Sequence, residues 1–357
     1  MRKYGLDLLK IYSMFLIVVL HFCASIIRYN TLNPASLKSE VYYLIFTITY
    51  CCVDCYVLIT GYFYKNNTGK LNKYLKLWLM VFFWSSLLGC FGYFSGYINK
   101  KELFQYFLPL TYNKYWYFTA YTILYFTCPY LNKLIESLNR KEFKRLLIIG
   151  LIFLCIIDLP FETFRIDRGL HFSWLFFLYL FGAYIRIYEP MKNIKNINLI
   201  KISIFCIGSA FLSKYLIEYI LKYQLTIANT IFLDRNNSIF IVIYALCMFE
   251  LFKRIRINKK IISNIILTVS KTTFGIFLIH YNYVILSMFL REKLWYVYKE
   301  RILYSLEDTL FFCILIFIIC MILEYIRQKL FKLFKIDNLV DKFVDKIKSI
   351  KVLGLTN

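Results

Sequence analysis

His21 stands eleven residues after Lys10, in an otherwise apolar run that opens Leu6-Asp7-Leu8-Leu9-Lys10. Eleven residues are close to three helical turns and roughly 16 Å of rise, so a helix brings Asp7, Lys10 and His21 within about 60° of one another. One face then carries a cation near a membrane rim and an imidazole near mid-membrane. Ionisable groups inside a bilayer are costly and mark functional positions by default. The pair suits an anionic donor held by Lys10 and a proton acceptor or nucleophile at His21. The plainer reading has Lys10 reaching the interface, Asp7 pairing with it, and His21 bonding a neighbouring helix.

His280 closes the segment Phe274-Gly275-Ile276-Phe277-Leu278-Ile279-His280. Its span and that of His21 run in the same direction, which sets the two rings at comparable depth, where both can line one cavity. Asp54 is a lone carboxylate in Val53-Asp54-Cys55 and needs a partner; His21 and Lys10 are the candidates. Lys65, Lys70, Lys73 and Lys76 populate one loop. Lys73 and Lys76 share a helix face and can bind nucleotide phosphates as point charges, or simply mark the loop as cytoplasmic. Asp158, Glu250 and Glu324 fall near span ends, where solvation is expected. No phosphate-binding glycine loop, zinc-protease helix or hydrolase elbow occurs in a suitable context.

Ten segments are candidate spans to position these groups, a span needing ~20 residues: roughly 8–28, 41–62, 74–97, 115–133, 145–160, 170–188, 199–219, 237–252, 268–290 and 308–328, the fifth and eighth being short. The seventh carries Lys214 and is the least secure. With the N-terminus cytoplasmic, inner loops hold about twice as many Lys and Arg as outer ones. The expected fold is therefore all-α, a polytopic membrane bundle of about ten transmembrane helices with both termini cytoplasmic. The chain is 60% hydrophobic, against ~45–50% for soluble proteins. In that setting a net charge of +23 fits loops at anionic lipid rather than nucleic acid. Arg2 and Lys3 before an apolar run imitate a signal peptide, but Asp7 and Lys10 interrupt it and a retained first helix is expected.

Residues 1–330 read as the membrane domain and 331–357 as a short, basic, amphipathic cytoplasmic tail. Leu339, Val340, Phe343, Val344 and Ile347 give that tail one apolar face, suited to the membrane interface. The 11 cysteines sit mostly in apolar runs, as small buried hydrophobes. Cys51, Cys52 and Cys55 cluster without the partners that zinc requires, and no metal site is expected.

Five segments together resemble the acyltransferase-3 family of integral membrane sugar O-acyltransferases. Leu6-Asp7-Leu8-Leu9-Lys10 followed by His21 is similar to its opening pattern, with Lys10 where Arg is usual. Val53-Asp54 through Thr60-Gly61-Tyr62 resembles its second-helix motif, with Thr60 for Ser. Lys73 to Lys76 running into Phe83-Trp84, Trp116-Tyr117-Phe118 to Pro129, and Phe274 to His280 resemble its third, fourth and late helices. The resemblance implies acyl-CoA, acetyl-CoA by default, as a co-substrate held by Lys10, Lys73 and Lys76, with no permanently bound cofactor. It implies catalysis by His21 and Asp54, with His280 and Trp116 at the acceptor, a lipid-linked or surface glycan of a bacterial cell membrane.

A transporter, flippase or polymerase for lipid-linked oligosaccharide is the rival reading. A transporter predicts internal repeats and Gly- or Pro-broken helices; the chain has 12 Gly, 5 Pro and no visible repeat. A polymerase would be expected to carry a large outer loop.

Overall fold

The computed structural model describes residues 2–29, 36–158, 163–221, 235–291 and 302–349. Residues 350–357 of the expected tail lie outside the described residues. Among those described, no strand occurs. The helices are α1 (Tyr4–Tyr29), α2 (Leu37–Thr49), α3 (Cys51–Tyr62), α4 (Leu71–Phe94), α5 (Lys100–Tyr106), α6 (Trp116–Ser137) and α7 (Arg140–Leu151). They continue as α8 (Phe172–Tyr188), α9 (Asn196–Leu221), α10 (Ile239–Arg254), α11 (Lys260–His280), α12 (Ile302–Leu333) and α13 (Ile336–Ser349). Helices satisfy every backbone polar group internally, which hydrocarbon demands.

Among the described residues six helical stretches are long and apolar enough to cross a membrane: Tyr4–Ala24, Leu37–Tyr62, Leu71–Phe94, Asn196–Leu216, Lys260–His280 and Ile302–Leu333. The other four expected ranges coincide with helices that are shorter or less apolar. The ninth expected range, 268–290, is displaced: α11 starts earlier and ends at His280. The Asn282 side chain then accepts from the Val284 backbone N–H, capping a new helical segment and ending the old one.

α2 and α3 form one apolar stretch, Leu37–Tyr62, interrupted at Tyr50. The Thr47 and Thr49 hydroxyls donate back to the Tyr43 and Phe46 carbonyls, a habit that bends helices. α3 then packs on α8 with backbones touching. A Cβ on Gly61 would overlap the Tyr179 carbonyl, and one on Gly182 the Leu58 carbonyl. The Thr60-Gly61-Tyr62 motif thus has a packing cause, as small residues let membrane helices approach closely. α1 is central, packing on α2, α3, α10, α11 and α12.

The expectation that Asp158, Glu250 and Glu324 are solvated is overturned, since all three are buried. Glu324 on α12 accepts from Trp84 at 2.7 Å and pairs with Arg327 at 2.6 Å. Gly275 leaves room for that carboxylate, because a Cβ there would overlap it. Glu250 pairs with Lys253 and Arg254. Asp158 accepts from the Phe164 backbone at 2.7 Å. Buried charge survives where it is paired or fully hydrogen-bonded. Lys214 of α9 follows the same rule, 3% exposed and 2.6 Å from Glu40 of α2.

Candidate active site

α1 and α11 bring their histidines together: His21 Nδ1 lies 3.0 Å from His280 Nε2. His280 Nδ1 lies 2.6 Å from the Ile276 carbonyl. A carbonyl only accepts, so His280 Nδ1 carries its hydrogen, and in the neutral ring Nε2 is an acceptor. His21 Nδ1–H therefore donates to it. The lone pair of a neutral His21 then sits on Nε2, an assignment that follows from the hydrogen-bond pattern. The Tyr281 ring packs on His21 at 4.6 Å between centroids.

His21 lines a cavity of about 510 Å³. Its walls come from Met14, Ile17 and Leu20 of α1, Tyr50, Val53 and Tyr56 at the α2–α3 junction and in α3, and Trp116 and Tyr117 at the start of α6. Phe274 and Phe277 of α11 close it, with Tyr281 beyond. The expected acceptor residue Trp116 is thus in the wall. His280 stands behind His21, hydrogen-bonded to it, rather than in the wall.

Lys10 lies on a second cavity of about 400 Å³ at the opening end of α1, lined also by Arg2, Lys3, Asp7, Tyr62, Asn66 and Arg186. Four cations here face one carboxylate. Asp7 is taken by Arg2, at 2.9 and 3.1 Å, and not by Lys10 as the plainer sequence reading has it. Among the described residues Lys10 has no ion-pair partner. Lys3 and Arg186 both donate to the Tyr62 phenol, at 2.6 and 3.1 Å. An oxygen shared by two cations is a poor substitute for an anion. Tyr56 links the cavities: it lines the first, and its phenol donates to the Lys10 carbonyl at 2.9 Å.

Asp54, Lys73 and Lys76 line neither cavity. Asp54 is fully buried and accepts from Trp174 Nε1 of α8 at 3.0 Å, so Trp174 takes the place expected for His21 or Lys10. Lys76 pairs with Asp341 of α13 at 2.7 Å, and Lys73 is exposed. Sequence reasoning missed Arg2, Lys3 and Arg186 as a group. The available signal was topological, since the first span begins and the sixth ends on the same membrane face.

A family model described as an acyltransferase domain, acyltransferase-3, matches residues 3–325. No curated protein and no solved structure matches the chain. The chain belongs to the acyltransferase-3 family and, with its apolar helices, is a multi-pass membrane acyltransferase.

Proposed function

We propose that this member of the acyltransferase-3 family moves an acetyl group from acyl-CoA to a hydroxyl of an envelope or lipid-linked polysaccharide, in a bacterial cytoplasmic membrane. The observation that carries the reading is His21 on a cavity wall, its ring held by His280, about three turns of α1 from a cation-lined pocket.

Acyl-CoA joins a phosphorylated nucleotide to a thioester through a long arm. The phosphates lie against Arg2, Lys3, Lys10 and Arg186, which replace Lys73 and Lys76 in the donor role. The arm runs along α1 past Tyr56, covering the roughly 16 Å of eleven helical residues. On this reading the opening end of α1 is cytoplasmic, where acyl-CoA is made.

The acceptor hydroxyl donates to His21 Nε2. As its oxygen attacks the thioester carbonyl, the proton passes to Nε2 and the ring becomes imidazolium. Nδ1–H keeps its bond to His280 throughout, so orientation and tautomer are held. The tetrahedral intermediate expels the thiolate, which takes the proton from Nε2, leaving ester and CoA thiol. His280 is a positioning residue, and the Ile276 carbonyl fixes its tautomer. Trp116 and Tyr117 give the sugar an aromatic face. Asp54 acts at one remove, tying α3 to α8 through Trp174.

Membranes carrying the chain, labelled acetyl-CoA and the host's envelope glycan test this. Label should enter the glycan and fall about 10²–10⁴-fold with His21→Ala. An unlabelled glycan with folded wild-type protein would overturn the reading.

A further inference from the structure

Lys114 is the one fully charged residue in the described wall of the His21 cavity. The turn before α6 aims it there: Asn113 takes a left-handed φ of 47°, and the Lys114 N–H donates to the Pro109 carbonyl at 2.9 Å. Asn282, two residues beyond His280, donates to the Tyr115 phenol at 2.9 Å, which ties this turn to the histidine pair.

The Lys114 ammonium is half-buried, and burial lowers its pKa from the ordinary lysine value. Its hydrogen-bond acceptor is neutral Gln105, at 2.7 Å, and it lies 4.5 Å from the Tyr106 ring centroid. Among the described residues no carboxylate is within ion-pair distance, and Glu102 attracts the ammonium only from farther off, too weakly to offset its burial. A cation partly withdrawn from water without a paired anion is costly. Asn236 lines the same cavity, 5% exposed, and brings an amide, a donor and an acceptor together, to that wall. An ammonium and an amide beside an aromatic wall match a sugar that bears a negative group.

We infer that the acceptor is an acidic glycan: Lys114 holds its carboxylate or phosphate, while Asn236, Trp116 and Tyr117 hold the sugar ring before His21. This rests on the acyl-transfer reading only in taking the cavity as the acceptor site. Lys114 thereby sets specificity, through attraction to the anion and through the cost of leaving the ammonium unpaired beside a neutral sugar.

The test is binding, so it does not depend on turnover. Purified protein in lipid nanodiscs is titrated with methyl glucuronoside, glucose 1-phosphate and methyl glucoside, following tryptophan fluorescence, with Trp116→Phe to assign the signal. At least one anionic probe should bind about tenfold tighter than the neutral one, a difference of ~1.4 kcal/mol. The preference should vanish in Lys114→Gln, persist in Lys114→Arg and be unchanged in Lys73→Gln. A stronger response to the glucuronoside points to an acid on the sugar, and to glucose 1-phosphate, a phosphate at the lipid link. Equal binding of all three probes, or a preference that survives Lys114→Gln, overturns the inference. Failed acetyl transfer with intact anionic binding would instead count against the acyl-transfer reading alone.

Discussion

His21 and His280, 259 positions apart in the chain, share a hydrogen bond of 3.0 Å, and the second ring is anchored in turn on the Ile276 carbonyl. The arrangement does for His21 what a carboxylate does for the histidine of a hydrolase triad, selecting the tautomer and holding the ring. The difference is that the supporting group here is a neutral imidazole.

The supporting role predicts an order of activities. His280→Ala frees the His21 ring and should lower kcat about 10²-fold, the cost of a misplaced catalytic group, with the KM for acyl-CoA little changed. His280→Gln offers an amide oxygen to the His21 Nδ1–H and should recover part of the loss. Steady-state rates with labelled acetyl-CoA check this. Equal activity of the two variants would show that the His280 bond is not what matters.

The cationic pocket predicts donor-side effects. Lys10→Ala, Lys3→Ala and Arg186→Ala should each raise the KM for acetyl-CoA about tenfold, the worth of one charge-assisted hydrogen bond, with a smaller change in kcat. Lys73→Ala should leave both constants unchanged. A rise in KM with Lys73→Ala, and none with Arg186→Ala, would return the donor to the α4 loop.

The α3–α8 contact predicts a loss of stability without a change of chemistry. Gly61→Ala or Gly182→Ala should destabilise by about 1–3 kcal/mol, the range for overpacking. Gly208→Ala has open space around it and should be neutral. Thermal melting in detergent, with retained activity per folded molecule, separates the two effects.

α13 should loosen in acid. Hydrogen bonds from Lys76 and Asn72 lower the Asp341 pKa from its ordinary value. A depressed carboxylate stabilises the docked helix above the undocked pKa, and the contribution is lost as pH falls through the docked value. Amide exchange in Ile336–Ser349 should therefore quicken below about pH 4. Asp341→Asn should flatten that step; an unchanged profile would assign it to Asp337 or Asp345.

Membrane character and six of the expected spans, the ninth of them displaced, were legible among the described residues because hydrocarbon imposes a local rule: ~20 apolar residues, with backbone bonds closed within the segment. The cost of ionisable groups in such runs singled out Lys10, His21, Asp54 and His280 for the same reason. The family resemblance drew on those positions, and the family match extends over them.

Tertiary structure decided what each group touches. Lys10 and Asp7 lie three residues apart on one helix face, yet Arg2 takes the carboxylate and leaves Lys10 to a pocket completed by Arg186, 176 positions away. Asp54 met Trp174 rather than a histidine. Glu324 found room because residue 275 is glycine. The sequence by itself determined which residues could not be left to lipid, since transfer cost belongs to the single side chain. The partner of each was set by helix crossings and rotation, which depend on packing between segments far apart in the chain, and no local spacing encodes them.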